Sequence, residues 1–331
     1  TTPSGGSPSV LPVTSCADDG SPGTLRAVAA HAHDGDTIDL TQLTCSTITL
    51  AHGAIDTSLL GPNPLDHVTI VGPGQDALTI SGSGTSAIFV TGGDYRSGTS
   101  PVFTLQGLTV AHGAKYDTAA CVSALRGSLV LDGVTATDCH ARLASGGRGG
   151  GAVNAAYAQL DNSTISNSSI TAVDRNVAAG GGLWAGYATL INSTISGNSA
   201  SAPMKYAYQG YQTAGGGVYT SGSAVLTNST ISGNSVEATI DGQNANGGGV
   251  AARIHLTVTG STFVSNTADG VGGGAFGSLA IYLPTNPSGP QTILTPTTIS
   301  NSTFTGNSAA LGGALAWVSN GTLSNSTFAF N

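Results

Sequence analysis

The segment 199–214, SASAPMKYAYQGYQTA, concentrates side chains capable of proton transfer in a chain that has few of them. Lys205, Tyr206, Tyr208 and Tyr211 lie within seven positions, although only 8% of all residues are charged and 5% are aromatic. An amine can act as a general base and a phenol as a general acid when the pKa of each is suitably tuned. Lys205 is therefore a candidate base, and Tyr208 and Tyr211 are candidate acids.

We predict that 199–214 and four other segments, 114–120, 140–148, 169–179 and 235–246, are loops, and all five collect ionisable side chains. His140 is a second candidate base. Cationic and aromatic residues in and beside these segments could bind an anionic sugar. These candidate substrate-binding residues are Lys115, Tyr116, Arg142, Arg148, Arg175, Tyr206, Trp184 and Tyr219. Three aspartates, Asp117, Asp138 and Asp174, are alternative acids or bases.

A repeat surrounds these segments and predicts how they are positioned. The motif N-S-T-[IF]-[ST] and its variants recur with Thr109, Thr135, Thr164, Thr194, Thr230, Thr262, Thr303 and Thr327 as anchors. A GGG triplet precedes most of the later anchors, and the spacing between anchors varies. A constant strand with loops of variable length is typical of a solenoid. The asparagine of the motif keeps a fixed place in each unit, which favours a role in a turn.

Side chains alternate along a strand, so the Ile or Phe of the motif should point inward and the Thr and Ser outward. We therefore predict an all-β, right-handed parallel β-helix with an N-terminal capping helix in TLRAVAAHA, residues 24–32. Residues 1–60 should form the cap and first coil, and residues 61–331 one continuous domain of repeats. By the same alternation, Trp184 and Tyr219 should face outward on neighbouring coils, where they could stack on a sugar or pack beneath the loops.

The start SCADDGSPGTLRAVAAHAHDGDTIDL, residues 15–40, resembles the cap of secreted bacterial parallel β-helix proteins. The NSTISGNSA…GGG[VA] units resemble the repeats of pectin-lyase-like proteins and of polymorphic outer-membrane proteins. The resemblance implies the fold and a secreted or cell-surface location. It does not select a function, because lyases, glycosidases and adhesins share this scaffold. Similar lyases often use calcium, but the sequence contains no dense carboxylate cluster, so we expect no cofactor and no metal.

The charge and hydrophobicity of the chain exclude some classes of binding partner. The net charge is −8, with 9 Lys and Arg against 17 Asp and Glu, which argues against a nucleic-acid binder. No apolar run approaches the ~20 residues that span a bilayer. We expect a monomer whose secretion signal has been removed, acting on a polysaccharide or surface glycan.

Four cysteines form an even set without a C-x-x-C pair, so a zinc site is not indicated. We predict the disulfides Cys16–Cys45 and Cys121–Cys139, which are typical of an oxidising compartment. Free buried thiols are the alternative.

Three functions are compatible with these residues. The first is a polysaccharide lyase that cleaves a uronate-containing polymer by β-elimination in a groove between the central loops. The second is a glycoside hydrolase that uses two of the three aspartates. The third is a non-enzymatic adhesin or surface-binding solenoid. Its Thr/Ser ladders could bind an ordered surface such as ice, but Ala136 and Val264 are expected to interrupt them.

Overall fold

The computed structural model describes residues 7–57, 67–91, 101–144, 149–173, 178–202, 213–238, 245–277, 281–282, 292–293, 296–317 and 320–331. Within these ranges the chain winds into a parallel β-helix, in which each strand pairs in parallel with the equivalent strand of the next coil. This confirms the predicted fold class. One antiparallel pair, Ile281–Tyr282 with Thr292–Ile293, stands apart from the three parallel sheets.

The helix among the described residues is Leu25–His31, and it lies where the sequence predicted the cap. Its N-cap is Thr24, whose hydroxyl accepts a hydrogen bond from the backbone N–H of Ala27. Leu25 and Ala29 are buried against the hydrophobic core.

A network of hydrogen bonds ties this helix to the first coils. The guanidinium of Arg26 donates to both carboxylate oxygens of Asp18, at 2.7 and 2.9 Å, and to the carbonyls of Gly53 and Ala54. The backbone N–H groups of Ala51 and His52 also donate to Asp18. Burial raises the pKa of Asp18, but the bonds from Arg26 and the two backbone groups outweigh it and hold that pKa below its usual value.

The first parallel sheet, here called the threonine sheet, contains the repeated motif. All ten of its strands begin with threonine: Thr47–Thr49, Thr79–Ser81, Thr109–Ala111, Thr135–Thr137, Thr164–Ser166, Thr194–Ser196, Thr230–Ser232, Thr262–Val264, Thr303–Thr305 and Thr327–Ala329. The predicted interior column is confirmed: Ile165, Ile195, Ile231, Phe263 and Phe304 pair in register and are fully buried. The rings of Phe263 and Phe304 stack with centroids 4.5 Å apart.

The predicted interruption of the outward ladder at Ala136 is wrong. Ala136 lies between two outward threonines, pairs with Ile165 and is fully buried, so it belongs to the interior column. Val264 does face outward, in the column of Ser196 and Ser232. The threonine column itself is therefore unbroken over ten strands.

The second sheet, here called the long-strand sheet, includes the strands that follow the glycine triplets. Its strands are Val10–Pro12, Thr37–Asp39, Ile55–Asp56, His67–Val71, Phe89–Val90, Val102–Gln106, Val122–Asp132, Val153–Asp161, Leu183–Ile191, Val218–Thr220, Ala224–Thr227, Val250–Ala252, Leu256–Thr259, Ala275–Gly277, Thr297–Ser300, Leu315–Trp317 and Gly321–Ser324. The triplets permit close stacking, because a Cβ at Gly216 would collide with the backbone oxygen of Gly248.

The third sheet, here called the loop-side sheet, corrects the predicted loops. Its strands are Ala114–Tyr116, His140–Leu143, Ser169–Ala172, Ser199–Ala202, Thr213–Ala214, Ser235–Ala238, Ala245–Asn246, Thr267–Val271 and Ser308–Leu311. The first residues of each segment assigned to a loop therefore form a strand. In His140–Leu143, the second and fourth residues are buried and the first and third are exposed, as alternation requires.

Polar residues form the corners between the sheets. The asparagines that open the N-S-T triplets have φ between +45° and +51°, in the left-handed region of the backbone map. Asparagine adopts this conformation more readily than most residues, which explains its presence in these turns. The five residues are Asn162, Asn192, Asn228, Asn301 and Asn325. The serine that follows is buried in the first four cases, and Ser326 in the last coil is half-buried. The backbone N–H of Ser193, for example, donates to the hydroxyl of Ser229 in the next coil.

An asparagine ladder, buried in all but its last member, lines the corner between the threonine sheet and the loop-side sheet. The side-chain amide Nδ2 of each member donates to Oδ1 of the next at 2.9–3.0 Å, in the order Asn198, Asn234, Asn266, Asn307 and Asn331. Each Nδ2 also donates to a backbone carbonyl. Cys139 and Ser168 occupy the equivalent place in the two preceding coils, and the hydroxyl of Ser168 accepts from the N–H of Cys139.

Candidate functional site

His140 and Arg142 face the solvent from one strand of the loop-side sheet. The imidazole Nδ1 of His140 lies 2.8 Å from the hydroxyl oxygen of Ser169, which is its partner on the adjacent strand. The intervening Ala141 and the following Leu143 are buried, so the strand is held by its inner face. An imidazole and a guanidinium thus project from the same face of one strand, two residues apart.

Lys115 and Tyr116 lie on the preceding strand, Ala114–Tyr116, and both are exposed. Tyr116 pairs with Arg142, and Ala114 pairs with His140. The structure thus brings Tyr116, Arg142 and His140 onto one outward surface. Lys115 pairs with the inward-facing Ala141 but is exposed, because its strand begins the sheet.

A disulfide anchors this surface. Both predicted disulfides form, with Cα–Cα distances of 6.4 Å for Cys16–Cys45 and 5.7 Å for Cys121–Cys139. Cys139 directly precedes His140, and both Cys121 and Cys139 are fully buried. The Cys121–Cys139 bond therefore fixes the start of the strand that carries His140 and Arg142.

Trp184 and Tyr219 pair with one another at the other root of the loops, where the chain enters the long-strand sheet. Leu183 and Val218 are fully buried and the two aromatic residues are half-buried, so the predicted outward alternation is confirmed. Tyr219 also packs against a small cluster of Ala214, Ala251 and Phe276. Tyr219 therefore belongs to a small satellite cluster of strand residues, and whether loops cover it lies outside the described residues.

Asn154 occupies the same outward column, between Ser123 and Trp184. Its Nδ2 donates to the hydroxyl of Thr118 at 3.1 Å, and that hydroxyl lies 2.9 Å from the hydroxyl of Ser123. Asn154 is fully buried, and its Oδ1 has no hydrogen-bond partner among the residues that the structure describes. The column of Trp184 therefore continues as a polar cluster beside the loop roots.

Asp117 and Asp138 lie at opposite ends of two adjacent strands, Ala114–Tyr116 and His140–Leu143. Asp117 follows Ala114–Tyr116, and its carboxylate accepts from the N–H of Ala144 at 2.7 Å. Asp138 precedes His140–Leu143, has a φ of +53°, and accepts from the hydroxyl of Thr137. A four-residue strand spans roughly 13 Å, whereas the carboxyl groups of a glycosidase pair lie about 5–9.5 Å apart. This placement favours turn roles for both aspartates.

Several predicted site residues lie outside the described part of the chain: Arg148, Asp174, Arg175, Lys205, Tyr206, Tyr208 and Tyr211. Their roles stay predictions. The described roots of their segments are Ala144 and Gly149, Val173 and Ala178, and Ala202 and Thr213.

Four residues with potential roles were missed from the sequence. Ser169 and Asn154 belong to the site described above. An exposed aromatic pair, Tyr157 and Tyr187, lies on the long-strand sheet with ring centroids 5.1 Å apart and planes within 9° of parallel. The matching places of Tyr157 in AAYAQL and Tyr187 in AGYATL are the signal that would have found this pair.

The described residues form no helix that is long and apolar enough to cross a bilayer. No protein-family model matches the chain, and a comparison with curated proteins finds no match.

Proposed function

We propose that the protein is a secreted polysaccharide lyase of the β-helix type, which cleaves a uronate-containing polymer by β-elimination. The observation that carries the proposal is the contact of His140 with Ser169, beside Arg142 and Tyr116 on one surface. An oriented base next to a cation is what proton removal beside a carboxylate requires. The two disulfides support an oxidising compartment.

In the proposed mechanism, Arg142 binds the uronate carboxylate and offsets the charge that develops as the C5 proton leaves. Neutral His140 takes this proton, and the electron pair forms the C4–C5 double bond. The C4–O bond breaks, and an acid protonates the departing oxygen. Tyr208 or Tyr211 is the predicted acid, and Lys205 is the alternative base.

Ser169 orients the imidazole of His140 in this scheme. Its hydroxyl engages Nδ1, which leaves Nε2 as the nitrogen that faces the substrate. Arg148 and Arg175 are predicted to bind the same or neighbouring uronates. In this proposal Trp184 contacts the apolar face of a sugar ring.

The test is a panel of acidic polysaccharides followed by ultraviolet absorbance, because elimination creates an unsaturated sugar. Arg142→Ala should lower turnover by about 10²–10³-fold, as the loss of a charge-stabilising group does. Arg253→Ala, which removes an exposed arginine next to the strand Val250–Ala252, is the matched control and should leave turnover unchanged.

Two other outcomes would replace the proposal. New reducing ends without ultraviolet absorbance would indicate a hydrolase. Binding without cleavage across acidic and neutral glycans would indicate an adhesin.

A further inference from the structure

The outward face of the threonine sheet presents a periodic array of hydroxyl and methyl groups. Thr47, Thr79, Thr109, Thr135, Thr164, Thr194, Thr230, Thr262, Thr303 and Thr327 pair in an unbroken register. A second outward column, two residues further along each strand, contains Ser166, Ser196 and Ser232. Val264 and Ala329 interrupt this second column, so the regular repeat runs along the threonine column.

The hydroxyls in the C-terminal part of the array are free to bind a partner. Two threonines nearer the N-terminal end already make hydrogen bonds within the protein. The hydroxyl of Thr109 donates to the backbone carbonyl of Gln75, and the hydroxyl of Thr135 donates to the side-chain Oε1 of Gln75. Among the residues that the structure describes, the following six threonine hydroxyls make no hydrogen bond within the protein: Thr164, Thr194, Thr230, Thr262, Thr303 and Thr327. All six side chains are half-buried or exposed.

The face carries no charge over these six strands. The segments 162–167, 192–197, 228–233, 260–265, 301–306 and 325–330 contain no Asp, Glu, Lys, Arg or His. A charged polymer has no counter-charge to meet here. The threonine and serine columns also lack the aromatic rings on which sugars stack. The face therefore fits a neutral partner that is rich in hydroxyl groups.

The array is pre-organised. Threonine is β-branched and therefore stiff at χ1, so little rotamer entropy is lost when its hydroxyl binds. The serine and asparagine ladders run along the two ends of these strands. Ladders of this kind stabilise flat sheets.

The spacing selects an ordered partner. Adjacent strands lie about 4.8 Å apart, and residues two apart along one strand lie roughly 6.7 Å apart. The first of these, the repeat of the unbroken threonine column, is close to a distance between oxygen atoms in hexagonal ice. From the unbroken column, its free hydroxyls and the absence of charge, we propose that the face formed by Thr164, Thr194, Thr230, Thr262, Thr303 and Thr327 binds ice. This activity uses a different surface from the proposed lyase site and does not depend on it.

The test compares two double variants of the full chain. Thr194→Lys with Thr262→Lys places two long cations in the array. Thr189→Lys with Thr257→Lys is the matched control, because these half-buried threonines lie in the same two coils but face outward from the long-strand sheet. The readouts are thermal hysteresis, the faceting of ice crystals and partition into slowly grown ice.

We expect the unmodified protein and the control to show all three effects, and the array variant to lose them at an unchanged melting temperature. If the array variant does not fold, the single variant Thr230→Lys, at an exposed position, replaces it. The proposal is overturned if the unmodified protein shows no ice activity or if both double variants lose it equally. It is also overturned if the array variant abolishes only adsorption to crystalline polysaccharide or only self-association.

Discussion

His140 and Ser169 contact each other across adjacent strands, with Nδ1 of the imidazole 2.8 Å from the hydroxyl oxygen. If His140 is the base, His140→Ala should lower turnover by about 10²–10⁴-fold. Ser169→Ala should cause a smaller fall in kcat with KM little changed, because the imidazole loses its orientation but substrate contacts remain. Steady-state kinetics on the cleaved polymer measure both effects.

Ser199→Ala is the matched control, since Ser199 lies in the same column one strand further on. It should leave kcat unchanged. Equal kinetic losses for Ser169→Ala and Ser199→Ala would contradict the positioning role.

The Cys121–Cys139 disulfide should matter more to the site than to the whole fold. Replacing both cysteines with serine removes a crosslink over 18 residues and should lower the free energy of unfolding by about 3 kcal/mol. Amide hydrogen exchange should accelerate most in 114–117 and 140–144. Turnover should fall with it, because His140 follows Cys139 directly.

The pair Cys16–Cys45 is the control, because it lies near the N-terminal cap and spans 29 residues. Its double serine variant should lower stability and leave turnover unchanged. If both disulfide variants reduce turnover to the same extent, the local effect is refuted.

Breaking the asparagine ladder should be costly. Asn234→Ala removes the acceptor for the N–H and Nδ2 groups of Asn198 and the donor to the carbonyl of Ile195. Buried groups left unsatisfied should lower the free energy of unfolding by on the order of 3 kcal/mol. Chemical denaturation of purified protein measures the change.

Asn228→Gly tests a neighbouring asparagine with a different role. Asn228 is exposed, has a φ of +50°, and should tolerate glycine within about 0.5 kcal/mol. A fall in the free energy of unfolding as large as that of Asn234→Ala would contradict the prediction that the exposed Asn228 contributes less to stability than the buried Asn234.

The stability of the N-terminal cap should depend on pH through Asp18. The folded pKa of Asp18 lies below its ordinary value, so its contribution is present above about pH 4 and is lost as pH falls through the folded pKa. Asp18→Asn should destabilise the protein by about 2 kcal/mol at neutral pH, because Arg26 loses its charged partner. The difference between variant and unmodified protein should shrink in acid, as thermal unfolding across pH would show.

Glu237→Gln, at an exposed position on the strand Ser235–Ala238, is the control for removing a negative charge. It should leave the dependence on pH unchanged. A constant difference between Asp18→Asn and the unmodified protein at all pH values would contradict the prediction.

The threonine sheet was predictable from sequence because its signal is local. The inward Ile195 and outward Thr194 follow from alternation, and Asn192 at the preceding corner is a residue type that tolerates positive φ. The capping helix was predictable for the same reason, since Thr24 precedes a short apolar pattern.

The loop-side sheet was missed because its inward residues are small. In Ser199–Ala202, only Ala200 and Ala202 are buried, which gives a weak hydrophobic pattern. The contact of His140 with Ser169 was nevertheless within reach, because the 29-residue step between them equals the step from Thr135 to Thr164. The turn role of Asp138 could also be read from its alignment with Asn167 and Gly197, which share its positive φ.

The asparagine ladder gives the solenoid an electrical direction. Every link from Asn198 to Asn331 runs from Nδ2 of one coil to Oδ1 of the next, so the side-chain amide dipoles all point towards the C-terminal coil. Aligned amides polarise one another, and each bond in such a chain strengthens its neighbours by about 10–30%. A single substitution in the middle would therefore depolarise the coils on both sides of it.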